Sequence, residues 1–353
     1  MTVLATRTFV QEYAADDAAS SPRKISLYGD MNPNLAFNVS MIAIFGVLFV
    51  LQAGLGLYTR QRWMCVSFMC ACGIEVAGYV GRALSHNNTS DIGTFLLQNI
   101  CLTLAPVFTM AGIYYQLAKL VKIYGPKFAM LKSPIWYSWI FIACDVISLI
   151  IQAVGGGMSG NAAARQERSY TGDHVFVAGL AFQVASMSVF LLLWFHLLYQ
   201  IFMVTRLEHT ATRRPARALL HVNQLEIDYK YCREYECVRV RPRRWVFIYF
   251  PHALTIAVLL VYVRCIYRVV ELAQGWGGYL ITHEVYLVIL DALMISLATA
   301  IMTVFHPGFA FKGRTVRIPI DKVTKPGKAD VLTQSDYSVD VNPSDEKDTV
   351  PPC

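Results

Sequence analysis

Seven apolar runs, each roughly 20 residues or longer, decide what this chain can fold into. They cover approximately 35–58, 63–83, 94–118, 136–158, 174–202, 245–270 and 279–305. About 20 consecutive apolar residues is the length a helix needs to cross a bilayer core. A barrel strand needs only about 10, so runs this long predict helices, which satisfy their backbone hydrogen bonds internally in lipid. The chain is 55% hydrophobic and 16% charged, whereas a soluble domain carries about a quarter charged residues. The expected fold class is therefore an all-α integral membrane protein with seven transmembrane helices.

Basic residues set the expected orientation. Arg60 and Arg62 occupy the first connection, and Lys119, Lys122, Lys127 and Lys132 mark the third. The fifth is the most basic, with Arg213, Arg214, Arg217, Arg239, Arg241, Arg243 and Arg244. Lys312, Arg314, Arg317 and Lys322 follow the last run. The second and sixth connections have no base in SHNNTSD or AQGWGGY, and the fourth holds Arg165 and Arg168. This asymmetry places the N-terminus outside and the C-terminus in the cytoplasm. The net charge of +7 is then a topology signal, and no nucleic-acid partner is needed to explain it.

Three regions follow. Residues 1–34 form an extracellular tail without the central apolar region of a signal peptide. Residues 35–305 form the membrane domain, with a basic cytoplasmic loop at about 205–244. Residues 306–353 form a polar cytoplasmic tail of disorder-prone composition. Asn87 and Asn88 begin overlapping glycosylation sequons in an expected outside loop. Of nine cysteines, Cys65, Cys70, Cys72, Cys101, Cys144 and Cys265 fall in spans, Cys232 and Cys237 in the basic loop, and Cys353 at the end. None falls outside, so no disulfide framework is expected.

Charge at membrane depth costs several kcal/mol unless it is paired, hydrated or close to the interface. At roughly 1.5 Å per residue, Glu75 is about 18 Å from the inner end of its span. The stretch EVAGYVGR puts Glu75, Gly78, Tyr79 and Arg82 on one helix face. Asp145 and Gln152 lie seven residues apart in the fourth run, as do Glu284 and Asp291 in the seventh. In RCIYRVVE, Arg264, Arg268 and Glu271 share a face at i, i+4 and i+7. Two layers are expected: Glu75, Asp145, Gln183 and Asp291 at mid-depth, and Arg82, Gln98, Gln152, Arg264, Arg268, Glu271 and Glu284 nearer the outside.

Two readings of these residues stand side by side. The outer arginines can snorkel to headgroups, with Arg268 and Glu271 as a local pair, and the deep acids can simply bond between helices. Alternatively, the stripes face the bundle interior and line a hydrated path for substrate or protons, with Glu75, Asp145, Gln152, Gln183 and Asp291 as its site. Tyr79, Arg82, Gln98, Arg264, Arg268, Glu271 and Glu284 then form an outer polar layer or gate. Pro106 and Pro251 are expected to kink the third and sixth helices. Gly155, Gly156 and Gly157 either end the fourth helix or allow close approach.

No G-x-x-x-x-G-K-[ST] or H-E-x-x-H motif occurs, so no ATPase site, catalytic residues, metal or cofactor is expected. The seventh run contains no lysine for a retinal Schiff base, and the third ends in YYQLAKLV without a D-R-Y-like triplet.

The segments EVAGYVGR, LAPVFTMAGIYYQLAKLV, DVISLIIQAVGGGM, GLAFQ, RCIYRVVELAQGWGGYLITHEVYLVILDA and FHPG occur in an order that resembles the fungal lipid-translocating exporter family. Those seven-helix proteins are associated with aminocholesterol-type sterol resistance and with sphingoid long-chain bases. The resemblance runs from Glu75 to Gly308. It implies a non-enzymatic plasma-membrane or endomembrane protein that moves amphipathic, cationic lipids and contributes to toxic-lipid resistance. Its partners would be membrane lipids and amphipathic small molecules. The family supplies no catalytic residues to carry over, and the loop HVNQLEIDYKYCREYECVRVRPRRW departs from its usual length. A seven-helix lipid sensor, signalling through the basic loop and tail, is the alternative.

Overall fold

Seven helices occupy the seven apolar runs in a computed structural model that describes residues 33–87, 89, 91–130, 134–165, 169–213, 231, 235–239, 245–274 and 279–311. They are α1 (Leu35–Thr59), α2 (Arg62–Ser85), α3 (Ile92–Tyr124), α4 (Pro134–Ala164), α5 (Tyr170–Leu198), α6 (Trp245–Ala273) and α7 (Glu284–Ala310). No strand occurs among the described residues. All seven helices are long and apolar enough to cross a membrane.

Local chemistry sets the helix starts. The Asn34 side chain accepts from the backbone N–H groups of Ala36 and Phe37 at the head of α1. Asp91 does the same for Gly93 at α3, and Ser169 for Gly172 at α5. Each satisfies a donor that has no partner within the first helical turn. At the other end of α1, Arg60 takes the left-handed conformation, φ 57°, and the chain reverses into α2.

Neighbours in sequence are neighbours in space, and the second half of α7 packs back against α1 to close the bundle. Close approach between α4 and α5 depends on Gly155, where a Cβ would lie 2.3 Å from the Phe176 nitrogen. Small residues let helix backbones meet in this way in lipid. The three glycines therefore do not end α4, which continues to Ala164. Phe45, Phe68, Phe190, Trp194 and Phe250 fill the interior. Leu57, Val50 and Leu192 stay exposed on the perimeter, where acyl chains would cover them.

Two boundaries shift relative to the sequence expectation. Helix α3 runs on to Tyr124, so Lys119 and Lys122 are buried helical residues and not part of the third connection. The Lys119 ammonium donates to Gln61 and sits over the Tyr115 ring at 4.8 Å. Its aromatic and amide neighbours offset the cost of burying the cation. The seventh run is broken at His283, whose backbone is extended, into a short turn Tyr279–Thr282 and then α7.

Residues 1–32 and 312–353, Asn88, Lys132, Arg168 and Cys232 lie outside the described residues, as do Arg214, Arg217, Arg241, Arg243 and Arg244. So do Lys312, Arg314, Arg317, Lys322 and Cys353. Cys65, Cys70, Cys72, Cys101, Cys144 and Cys265 are all free thiols.

Candidate functional site

Helix α6 presents Arg264, Arg268 and Glu271 on its buried face, as the i, i+4, i+7 spacing requires. The Arg264 guanidinium is fully buried and reaches three other helices. Its Nη1 donates to Glu75 Oε1 of α2 at 2.5 Å, and its Nε lies 2.8 Å from Asp291 Oδ1 of α7. Its Nη2 donates to the backbone carbonyl of Leu102 in α3 at 2.7 Å. Arg268 grips the same Asp291 through Nε at 3.2 Å and Nη2 at 3.3 Å. Its Nη1 donates to Glu271 at 2.9 Å, and the Tyr267 hydroxyl donates to the other oxygen of Glu271 at 3.0 Å.

Two helical irregularities make these contacts available. Residue 106 would ordinarily donate its N–H to the carbonyl of Leu102, but Pro106 has none. The freed carbonyl is the one Arg264 takes. Asp291 sits in a π segment, Val288–Leu293, inside α7. Such single-turn insertions rotate side chains relative to the regular helix and concentrate at functional sites.

A second ion pair lies at one end of the bundle. Arg82 Nη2 donates to Glu284 Oε1 at 3.0 Å, and the Asn34 backbone N–H donates to the same oxygen at 3.2 Å. The Glu284 side chain is 20% exposed against 2% for Arg82, so this pair borders the surface.

The expected two layers are thus redrawn. Arg264, Arg268 and Glu271, assigned to the outer layer, join Glu75 and Asp291 in one network, because arginine side chains are long enough to bridge a helical turn of depth. Arg82 and Glu284 form the only ion pair outside that network among the described residues. Snorkelling does not describe these arginines, which are 0–5% exposed. The local Arg268–Glu271 pair does form, but within the larger network.

The remaining sequence candidates lie apart. Gln152 Nε2 donates to Gln183 Oε1 at 3.0 Å, joining α4 to α5. Asp145 is buried beside the Tyr114 hydroxyl of α3, and no lysine or arginine pairs with it among the described residues. Gln98 is buried where α3 meets Gly81 of α2. Tyr79 packs between Phe45, stacked at 5.8 Å, and Phe37, edge-on at 6.2 Å.

Sequence reasoning missed two participants: Tyr267 and the Leu102 carbonyl. Tyr267 was readable, four residues before Glu271 on the same face. The carbonyl was signalled only indirectly, by Pro106. No cluster of His, Cys, Asp and Glu suited to a metal ion occurs among the described residues.

The network joins Glu75, Glu271 and Asp291 to Arg264 and Arg268, three carboxyls to two guanidiniums. With every group ionised it carries one negative charge, buried in a low-dielectric interior where an unbalanced charge is strongly unfavourable. Protonation of one carboxyl, or a cation beside it, would balance that charge.

Comparison with known proteins identifies relatives of the whole chain. The chain is 53% identical over 308 residues to the sphingoid long-chain base transporter RSB1 of Saccharomyces cerevisiae, covering 87% of this chain and 79% of that protein. It is 27% identical over 228 residues to protoporphyrin uptake protein 1 of the same yeast, covering 65% of this chain and 63% of that protein. No solved structure matches the chain. The sequence profile of the RTA1-like proteins matches residues 68–314, which takes in every charged member of both ion-pair groups. The chain belongs to the RTA1-like protein family.

Proposed function

We propose that this multi-pass membrane protein is a lipid transporter that moves sphingoid long-chain bases, or closely related cationic amphiphiles, between leaflets without making or breaking covalent bonds. The observation that carries the reading is the buried surplus of carboxyl groups. A long-chain base is a single-tailed lipid with an ammonium head, and its charge would neutralise the excess carboxyl while its tail stays in lipid between helices. The 53% identity to a protein named for that substrate supports the same class. The orientation proposed is N-terminus outside, from the distribution of basic residues, and the membrane proposed is the plasma membrane.

Within this scheme Glu75, Asp291 and Asp145 are the groups that meet the ammonium or carry a proton. Arg82 with Glu284 gates one end. Gln152 and Gln183 form a neutral polar contact farther along the bundle. Purified protein in liposomes should accelerate the flip of a fluorescent sphingoid base severalfold over protein-free vesicles. Binding without accelerated flip would overturn the transporter reading and favour a sensor. Repeating the assay with and without an imposed proton gradient tests whether the acids couple transport to protons.

A further inference from the structure

Four buried polar atoms on the adjacent helices α1 and α2 have no hydrogen-bond partner among the described residues. They are both amide atoms of Asn38, the hydroxyl of Tyr79 and Oε2 of Glu75. All three residues are 0–1% exposed. In a bilayer each such atom costs free energy of the order of kcal/mol when left unsatisfied. A polar occupant between the two helices would satisfy them.

Helix geometry sets them at neighbouring depths. Glu75 and Tyr79 are one turn apart on the same buried face of α2. On α1, Asn38 shares a face with Phe45, the ring stacked on Tyr79, and adjoins Phe37, the ring edge-on to it. The Arg82–Glu284–Asn34 contact supplies the vertical reference. Asn38 lies four residues below Asn34, about 6 Å, and Tyr79 three residues below Arg82, about 4.5 Å.

We infer that Asn38, Tyr79 and Glu75 form an occluded head-group subsite for a 2-amino-1,3-diol, roofed by the Arg82–Glu284 pair and floored by the Arg264 network. The inference rests on the transporter reading and sharpens it. The unpartnered Glu75 oxygen accepts from the ammonium. The Tyr79 hydroxyl can donate or accept, and the Asn38 amide does both, which matches two hydroxyl groups on a flexible head. A plain alkylamine would satisfy Glu75 alone. A site built to bond a hydroxyl rejects analogues that lack it, because its own polar groups stay unpaired. The subsite therefore reads the diol, whereas the acids read only the charge.

The test compares the C18 2-amino-1,3-diol base with octadecylamine in two measurements on the purified full chain: binding by thermal shift and flip in proteoliposomes. Wild type should prefer the diol in both. Tyr79→Phe removes one hydroxyl and keeps the ring between Phe37 and Phe45, and Asn38→Leu removes the amide at similar volume. Each should lower the diol-to-alkylamine ratio by about tenfold, the size of one lost hydrogen bond. An unchanged ratio in both variants, with unfolding temperatures near wild type, overturns the subsite and leaves buried water as the occupant. Selective binding of the diol by wild type without flip overturns the transporter reading alone and upholds the subsite.

Discussion

Arg264 completes the hydrogen bonding of Leu102, donating from Nη2 to its carbonyl at 2.7 Å, where Pro106 has removed the helix's own donor. Proline in α3 and arginine in α6 therefore act as one unit. The irregularity in one helix supplies the acceptor that fixes a charge on another. Transmembrane prolines are tolerated where a neighbouring group re-satisfies the freed carbonyl, and here that group is the centre of the charge network.

Pro106→Ala should separate stability from function. The new N–H can bond Leu102 within the helix and competes with Arg264 for the carbonyl. Thermal unfolding should stay at or above the wild-type temperature, since alanine favours helix by about 3 kcal/mol over proline where no kink is required. Flip of a sphingoid base should fall severalfold as Arg264 loses one of its anchors. Unaltered flip would show that Glu75 and Asp291 alone position the guanidinium.

Removing the guanidinium is the severe change. Arg264→Leu leaves Glu75 and Asp291 buried and short of a partner, and breaking a buried pair costs about 3–5 kcal/mol. Arg264→Lys should rescue little, because one ammonium cannot span the contacts the planar guanidinium makes to three helices. The double variant Arg264→Leu with Asp291→Asn should unfold at a higher temperature than Arg264→Leu alone. Additive losses in that cycle would count against coupling between the two side chains.

The two deep acids of α4 and α7 should respond differently to neutralisation. Asp291 is held by two arginines, so Asp291→Asn should lower both folded yield and transport. Asp145 has no cationic partner among the described residues, and an asparagine of the same size can still face the Tyr114 hydroxyl. Asp145→Asn should therefore reach the membrane at wild-type levels. Protection of cells against a toxic long-chain base should nonetheless be lost if Asp145 carries the proton or meets the ammonium. Full protection would remove Asp145 from the transport path.

How much of this was legible follows from the range of each interaction. The seven spans were readable because a bilayer imposes one length on every helix. Polar stripes on α2, α4, α6 and α7 were readable from seven-residue spacing. Which stripe meets which was not, since that depends on crossing angles and rotation that no single helix encodes. Asp145 and Asp291 look alike in sequence, yet one faces a tyrosine and the other two arginines. Depth alone misplaced Arg264 and Arg268, whose Cα positions lie nearer one end while their guanidiniums reach inward. The meaning of Pro106 required a residue 158 positions away, since Arg264 minus Pro106 is the separation that folding closes.

Glycine substitutions in α4 give a control that involves no charge. At Gly155 an added Cβ would fall 2.3 Å from the Phe176 nitrogen and 2.7 Å from its Cα, both backbone atoms that cannot rotate away. Gly155→Ala should push α4 from α5 and cost about 1–3 kcal/mol or more. Gly157 has nothing within 4 Å of its Cβ position, so Gly157→Ala should be neutral or stabilise the helix by up to about 1 kcal/mol. Unfolding temperatures of the two variants in the same detergent provide the comparison. Equal temperatures would mean that the α4–α5 seam is looser than its geometry indicates.

The Arg82–Glu284 pair yields the sharpest test of gating. Arg82 is buried while Glu284 borders the surface, so Glu284→Ala, which leaves the buried guanidinium unpaired, should cost more stability than Arg82→Ala. If the pair roofs the path, Arg82→Ala and Glu284→Ala should each raise the passive leak of a sphingoid base through liposomes while reducing net directional transport. The charge-swapped double variant, Arg82→Glu with Glu284→Arg, should restore the pair and bring leak back toward wild type. Asn34 sharpens the interpretation. Its backbone N–H bonds the Glu284 carboxylate and cannot bond a guanidinium, so the swap should recover most, not all, of the closure. Leak that is identical in wild type and both single variants would place the gate elsewhere.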